Sequence, residues 1–225
     1  MARRGLTRAL VLDAAMRLAD TEGLDALTMR SLAAALGVEA MSLYHHVPGK
    51  DALLDEMVDR VYAEVPPPAA NRPWREGLRR RSLAMREVLR RHPWALPLIE
   101  SRRTPGPANL AYHEATIACL RAAGFSAAQT AHAYAVLDAY VYGFVLQETM
   151  LPFDTGEQAV EFITDGLGDL LDDYPQMAWF AREVVLAPGY SFAREFEPGL
   201  DLVLTGIAAV RGERGTGQTD VRDSG

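Results

Sequence analysis

Leu27-Thr28-Met29-Arg30-Ser31-Leu32-Ala33-Ala34-Ala35-Leu36-Gly37-Val38-Glu39-Ala40-Met41-Ser42-Leu43-Tyr44-His45-His46-Val47 is the stretch that decides the fold. Thr28 is a residue type that caps a helix, and Gly37 can supply the left-handed residue that ends one. The spacing predicts a helix over Thr28–Leu36 and a short second helix over Ala40–His46, before Pro48-Gly49 breaks the chain. Leu32, Ala33, Leu36, Val38 and Leu43 are its apolar positions. Ala33 is small where two helices must approach, and Val38 and Leu43 fold the second helix back onto the first. Ala40, Met41, Ser42, Tyr44, His45 and His46 are then left facing outward or near the helix ends.

A helix of this size has the dimensions to enter the major groove of duplex DNA. Ser42, Tyr44 and His46 can donate to phosphates or base edges, and the Lys50 ammonium can reach the backbone. The competing reading is a small helical hairpin in a bundle. Core packing does not explain an outward Tyr44-His45-His46 cluster.

Working outward, Val11, Ala14, Ala15 and Leu18 fall at i, i+3, i+4, i+7 and predict a helix over Thr7–Glu22, stopped by Gly23. Leu53, Leu54, Met57, Val58 and Val61 give Lys50–Glu64 one buried side, and Pro66-Pro67-Pro68 follows as a break. Helices are then expected over Trp74–Arg91, near Trp94–Ser101, over Ala108–Ala123, and from a Ser126–Gln129 capping box to about Glu148. Thr155 is a candidate cap for a helix through Tyr174. Pro175 can open another, and Ala193–Val210 is the last. The expected class is all-α: a three-helix helix-turn-helix domain (residues 1–50), a connecting helix (51–65), a C-terminal helical ligand-binding and dimerisation domain (74–211) and a disordered tail (212–225).

The chain has 225 residues, 49% of them hydrophobic, so it can bury a real core. Its net charge of −7 excludes nucleic-acid binding over the whole surface. At the N-terminal end, Arg3, Arg4, Arg8, Arg17, Arg30 and Lys50 offset Asp13, Asp20, Glu22, Asp25 and Glu39, so the acidic excess lies elsewhere. A DNA footprint must therefore be local. Cys119 is the only cysteine, which points to a reducing compartment and no intrachain disulfide. Neither a signal peptide nor a membrane span is read from the sequence, and the expected location is the cytoplasm.

Leu27–Val38, then Leu43-Tyr44-His45-His46-Val47, then Lys50-Asp51-Ala52-Leu53-Leu54 resemble the TetR family of bacterial repressors. Trp74 and its helix, Gly124-Phe125-Ser126, Gly143-Phe144-Val145-Leu146 and Phe196-Glu197-Pro198-Gly199-Leu200-Asp201-Leu202 resemble the C-terminal domain of the tetracycline repressor subgroup. The resemblance implies a DNA interface of Thr28, Arg30, Ala40, Met41, Ser42, Tyr44, His45, His46 and Lys50. Arg30 matches a position that reads a guanine, a role suited to a bidentate guanidinium. Ala40, Met41 and Ser42 match base contacts. Tyr44, His46 and Lys50 match phosphate or sugar contacts, and His45 stands where a larger aromatic is usual. The tetracycline repressor has glutamine and proline at the Ala40 and Met41 positions, so a different operator is expected.

Helix 127–148 is apolar on most faces, and helix 193–210 carries a stripe of Phe196, Leu200, Val203, Leu204 and Ile207. In the family such helices pair with their copies in a homodimer. Position implies that Met85, His113, Thr116, Tyr134 and Asp138 line a cavity for an unidentified small-molecule effector. For Met85 and Tyr134 the core is the competing reading. The pattern that binds magnesium–tetracycline is not reproduced: its asparagine corresponds to Arg81, and its metal-ligand histidine has no counterpart in Leu96–Arg103.

No enzyme is expected. His113-Glu114-Ala115-Thr116-Ile117 starts like a zinc-protease motif but puts Ile117 where the second histidine belongs, and Gly166-Leu167-Gly168 follows no strand. No metal or cofactor set stands out. The Arg79-Arg80-Arg81, Arg86, Arg90-Arg91 run, with Glu76 and Glu87 between, reads as a solvated helix face. The alternative function is a helical ligand-binding or adaptor protein without DNA binding.

Overall fold

The computed structural model describes residues 5–68, 72–102, 104–153, 156–166 and 173–212. Among them every regular element is helical. Compactness divides the chain between Thr130 and Ala131, inside one long helix.

Among its described residues the first unit contains the α-helices α1 (Arg8–Glu22), α2 (Met29–Leu36), α3 (Ala40–Tyr44), α4 (Lys50–Ala63), α5 (Trp74–Arg91), α6 (Ala95–Ser101) and α7 (Pro107–Ala122), with a 3-10 turn over Leu24–Ala26. Their ends follow local chemistry. Thr7 Oγ1 accepts from Leu10 N at 3.2 Å and opens α1. Pro107 sits at the start of α7, where a missing N–H costs nothing. Asp59, on α4, accepts from the Asn109 backbone N–H at 2.9 Å, so a carboxylate from another helix helps cap α7. Arg102, just past α6, pairs with Asp55 and donates to the Asp51 carbonyl at 2.9 Å.

α4 is the hub of this unit: it packs against α1, α5, α6 and α7. Leu53, Leu54, Met57, Val58, Val61 and Tyr62 are its buried residues, the expected stripe extended by Tyr62. Burying one such aliphatic side chain contributes roughly 1.5–3 kcal/mol. The proline run is therefore no break in packing, because α4 on one side of it touches α5 on the other.

α8 (Ala127–Met150) runs across the division, and the second unit adds α9 (Gly156–Gly166), α10 (Pro175–Phe180) and α11 (Phe196–Gly212). Ser126 and Gln129 form the expected capping box, with Ser126 N–H donating to Gln129 Oε1 at 3.0 Å. Within the second unit Phe144 stacks on Phe192 at 4.6 Å and meets Phe196 edge-on at 5.0 Å. Tyr140 completes this cluster by donating its hydroxyl to the Phe196 carbonyl at 2.7 Å.

Several ends differ from expectation. α3 stops at Tyr44, and His46 and Val47 instead donate back to the Leu43 carbonyl in a closing turn. Phe192–Glu195 is a 3-10 turn, so α11 starts at Phe196, which places Pro198 in its first turn. The Thr155 cap and the expected tail after Gly212 lie outside the described residues.

Candidate nucleic-acid interface and effector site

The candidate DNA reader is a rigid corner. Ser31 N–H donates to Thr28 Oγ1 at 3.0 Å, and Thr28 N–H donates to Ser31 Oγ at 2.9 Å. This is a capping box with serine in place of the usual glutamate. At the other end of α2, Gly37 has φ 65°, a left-handed value that a side chain would strain. Gly37 N–H donates to Ala34 O at 3.1 Å and Val38 N–H to Ala33 O at 3.0 Å, the two bonds of a Schellman motif. The chain leaves that motif straight into α3.

Leu32, Ala33, Leu43 and Val47 are buried and fix α3 against α2. The opposite side is open. Met41 is 72% exposed, Tyr44 is exposed, and so are Thr28, Arg30, His45 and Lys50. Ala40, Ser42 and His46 are half-buried. All nine sequence-derived DNA residues thus lie on α2 or its N-cap, on α3 and its closing turn, or at the start of α4. An exposed thioether at the start of a short helix can touch apolar groups such as a thymine methyl, and Arg30 and Tyr44 can donate. Arg8 makes a two-pronged pair with Glu56, at 2.8 and 2.7 Å, and so anchors α1 to α4. These bonds raise the Arg8 pKa, since they favour its charged form.

The sequence-derived effector residues fall in both units. In the first, Met85 and Thr116 are fully buried, and the Thr116 hydroxyl donates to the Tyr112 carbonyl at 3.0 Å within α7. His113 is half-buried, with its ring 5.6 Å from Tyr62 and 5.2 Å from Tyr112. In the second, Tyr134 is half-buried and Asp138 is buried on α8.

One arginine departs from the reading of α5 as a solvated face. Arg81 is 1% exposed, and its guanidinium carbon lies 4.0 Å from the centre of the Tyr112 ring. The signal was its spacing: Gly77, Leu78, Arg81, Ser82, Met85, Val88 and Leu89 form one buried stripe. The surrounding arginines concealed it. Near Arg81 lies a cavity of about 290 Å³, lined by the proline run 66–68, Gly77, Arg72, Arg80 and Arg81. Among the described residues no His/Cys/Asp/Glu cluster could hold a metal ion, and no helix is long and apolar enough to cross a membrane.

Residues 11–57 match the family model described as bacterial regulatory proteins, tetR family, and residues 67–211 match the tetracyclin repressor-like C-terminal domain. The chain belongs to the TetR family. An HTH-type transcriptional regulator of Saccharopolyspora erythraea is 35% identical over 208 residues, covering 92% of this chain and 86% of that protein. The class A tetracycline repressor protein from Escherichia coli is 28% identical, covering 89% of this chain and 90% of its own. Among solved structures, apo ActR from Streptomyces coelicolor superposes with a TM-score of 0.76 at 29% identity, covering 94% of this chain and 99% of that one. This TetR-family protein is therefore a DNA-binding transcription regulator and not an enzyme.

Proposed function

We propose that this TetR-family protein is a cytoplasmic, homodimeric repressor that grips a palindromic operator and leaves it when a small molecule binds. The observation that carries the reading is the contrast across α3. Its inner residue Leu43 is fully buried, while Met41 and Tyr44 stand open at the helix that would enter the groove. We assign base contacts to Arg30, Ala40, Met41 and Ser42. Backbone contacts fall to Thr28, Tyr44, His45, His46 and Lys50.

The dimer reading is supported by exposed apolar stripes within the second unit. On α8 these are Ala131, Ala135, Ala139, Leu146 and Met150, and on α11 Leu202, Gly206, Ala209 and Val210. Leu202, 76% exposed, is the most open of their large side chains, and a contiguous apolar stripe of this kind is a surface that another molecule can cover. Two recognition helices about 34–36 Å apart meet successive major grooves on one face of the duplex.

Residues 1–50 act as the reading head, 51–65 as the connecting helix and 74–211 as the effector and dimer domain. Met85, His113 and Thr116 are the effector contacts proposed within the first unit. A relative named HTH-type transcriptional repressor DrrR1, and a structure of ActR with actinorhodin, favour repression relieved by a ligand. α4 is suited to carry the signal, since it touches α1 on one side and α5, α6 and α7 on others. The effector must prefer the DNA-incompetent state, because equal affinity for both states shifts nothing.

Selection of DNA from a random pool tests the reading. An enriched inverted repeat, bound by a dimer in a gel shift, is expected. No enriched repeat would leave a ligand-binding helical protein without operator recognition.

A further inference from the structure

Asp51, Asp55 and Asp59 stand four residues apart on α4 and so share one face of it. The α6–α7 connection and the first turn of α7 engage all three. Arg102 pairs with Asp55, lies 3.6 Å from Asp51 Oδ1 through Nη1, and donates from Nη2 to the Asp51 carbonyl at 2.9 Å. Two turns along α4, Asp59 accepts from the Asn109 backbone N–H at 2.9 Å. A Cβ at Gly106 would run into the Asp59 side chain, so glycine lets the connection come close there. A segment distant in sequence is thus fastened along a ladder of carboxylates.

The DNA end of this ladder differs from the rest. The Asp51 side chain is 94% exposed, and it follows Lys50, whose ammonium is assigned above to the DNA backbone. An open carboxylate beside such a contact repels the phosphate that Lys50 attracts. Arg102 offsets that repulsion from a side chain that is itself only 20% exposed. The hydrogen bond to Asp55 raises the Arg102 pKa further, so the group stays charged. Lys50 and Arg102 together balance Asp51 and Asp55. Without Arg102 the same end of α4 turns net negative.

We propose that Arg102 is a positioning residue for operator binding, an electrostatic latch that masks Asp51 and Asp55 beside the Lys50 contact. Seated, it holds the start of α4 by the Asp51 carbonyl and leaves Lys50 as the charge that a phosphate meets. Unseated by a movement of the α6–α7 connection, it uncovers two carboxylates where the phosphate must approach. The operator is then let go by repulsion, with no base contact altered. This rests on the DNA-binding reading above and adds to it a residue far from the reading head in sequence.

Fluorescence anisotropy of the full-length protein tests it, on the duplex enriched from the random pool and on an unrelated duplex of equal length. Arg102→Gln is expected to weaken binding to both about fivefold at about 50 mM salt and less at about 200 mM, because phosphate repulsion ignores sequence and is screened. Adding Asp51→Asn and Asp55→Asn should restore affinity to within about twofold of the wild type. Adding Asp59→Asn instead should not, since that position lies about 12 Å further along α4 than Asp51. A purely structural role for Arg102 would not be rescued by removing its partners. If Arg102→Gln fails to fold, Asp51→Lys at its open position carries the test, and it should tighten binding to both duplexes at low salt. Unchanged affinity in Arg102→Gln overturns the proposal. So does a loss that the double neutralisation leaves in place, or an Asp51→Lys variant that binds as the wild type does. A wild-type protein that binds neither duplex sinks the regulator reading, whereas a failed charge series sinks only the latch.

Discussion

His92 Nδ1 lies 2.7 Å from Asp20 Oδ1, the same oxygen that accepts from Trp94 Nε1 at 2.6 Å. The carboxylate is the acceptor, so His92 carries a proton on Nδ1. Its other nitrogen faces Glu64 at 3.4 Å, and Glu64 pairs with Arg91 at 2.7 Å. Asp20 belongs to α1, Glu64 follows α4, and His92 follows α5. One nearly buried imidazole thus ties the C-terminal part of α1 to the ends of α4 and α5.

Removing that tie should be costly and non-additive. His92→Ala is expected to destabilise the protein by about 1–3 kcal/mol, since Asp20, which accepts from both His92 and Trp94, loses one of these two partners. Asp20→Ala should cost a similar amount, and the double variant clearly less than the sum. Chemical denaturation of the four proteins measures the coupling. Strict additivity would mean that the 2.7 Å contact contributes nothing.

Thr28→Ala removes the side-chain half of the α2 capping box. A loss of about 1 kcal/mol is expected, which in a chain of this size lowers Tm by about 2–4 °C. Thr28→Ser keeps the acceptor and should restore most of it. A thermal melt of the two variants decides, and an unchanged Tm for Thr28→Ala would show that the box is not a stabilising feature.

Arg30→Ala should weaken binding to the selected operator by roughly 1–3 kcal/mol and relax the preference at one base pair. Tyr44→Ala should weaken binding to all sequences more evenly, as loss of a backbone contact does. Competition gel shifts with single-base operator variants separate the two patterns. Unchanged affinity removes the residue from the interface.

Burial pushes the Cys119 thiol above its ordinary pKa. A raised pKa leaves less thiolate at any given pH, and the thiolate is the reactive form. At pH 8 the folded protein should therefore react with a disulfide reagent more slowly than the unfolded chain does. The rate should keep rising to a higher pH than for an exposed thiol. A stopped-flow pH profile checks this, and equal rates for folded and unfolded protein would contradict it.

Gly37 holds a left-handed φ of 65° with open space around its Cα. Gly37→Val should therefore destabilise through backbone strain alone, by about 1–3 kcal/mol, whereas Gly37→Asn should be much milder. Denaturant unfolding of both variants tests the order. A valine variant as stable as the asparagine one would show that the turn relaxes.

The ends of the helices were legible because short-range chemistry writes them. Thr28, Gly37, Ser126 and Gln129 act on neighbours a few residues away, and each does what its spacing implies. The apolar stripe of α4 was legible for the same reason. Arg81 was not. In the sequence it is one arginine among Arg79, Arg80, Arg86, Arg90 and Arg91 with glutamates between, the pattern of a solvated face. His92 was hidden too, since before Pro93 it reads as the end of a helix.

The sequence by itself determined that the chain is helical, where the reading corner turns, and which side chains that corner leaves outside. These follow from periodicity and capping, which act within a turn or two of helix. Only the tertiary structure decided that Arg81 is buried over Tyr112 and that His92 joins Asp20 to Glu64. Those contacts span 31, 72 and 28 residues of chain. Whether a charge ends in water or in the core depends on which helix packs over it; the α5 spacing names the inward face, but not which partner meets a charge placed on it.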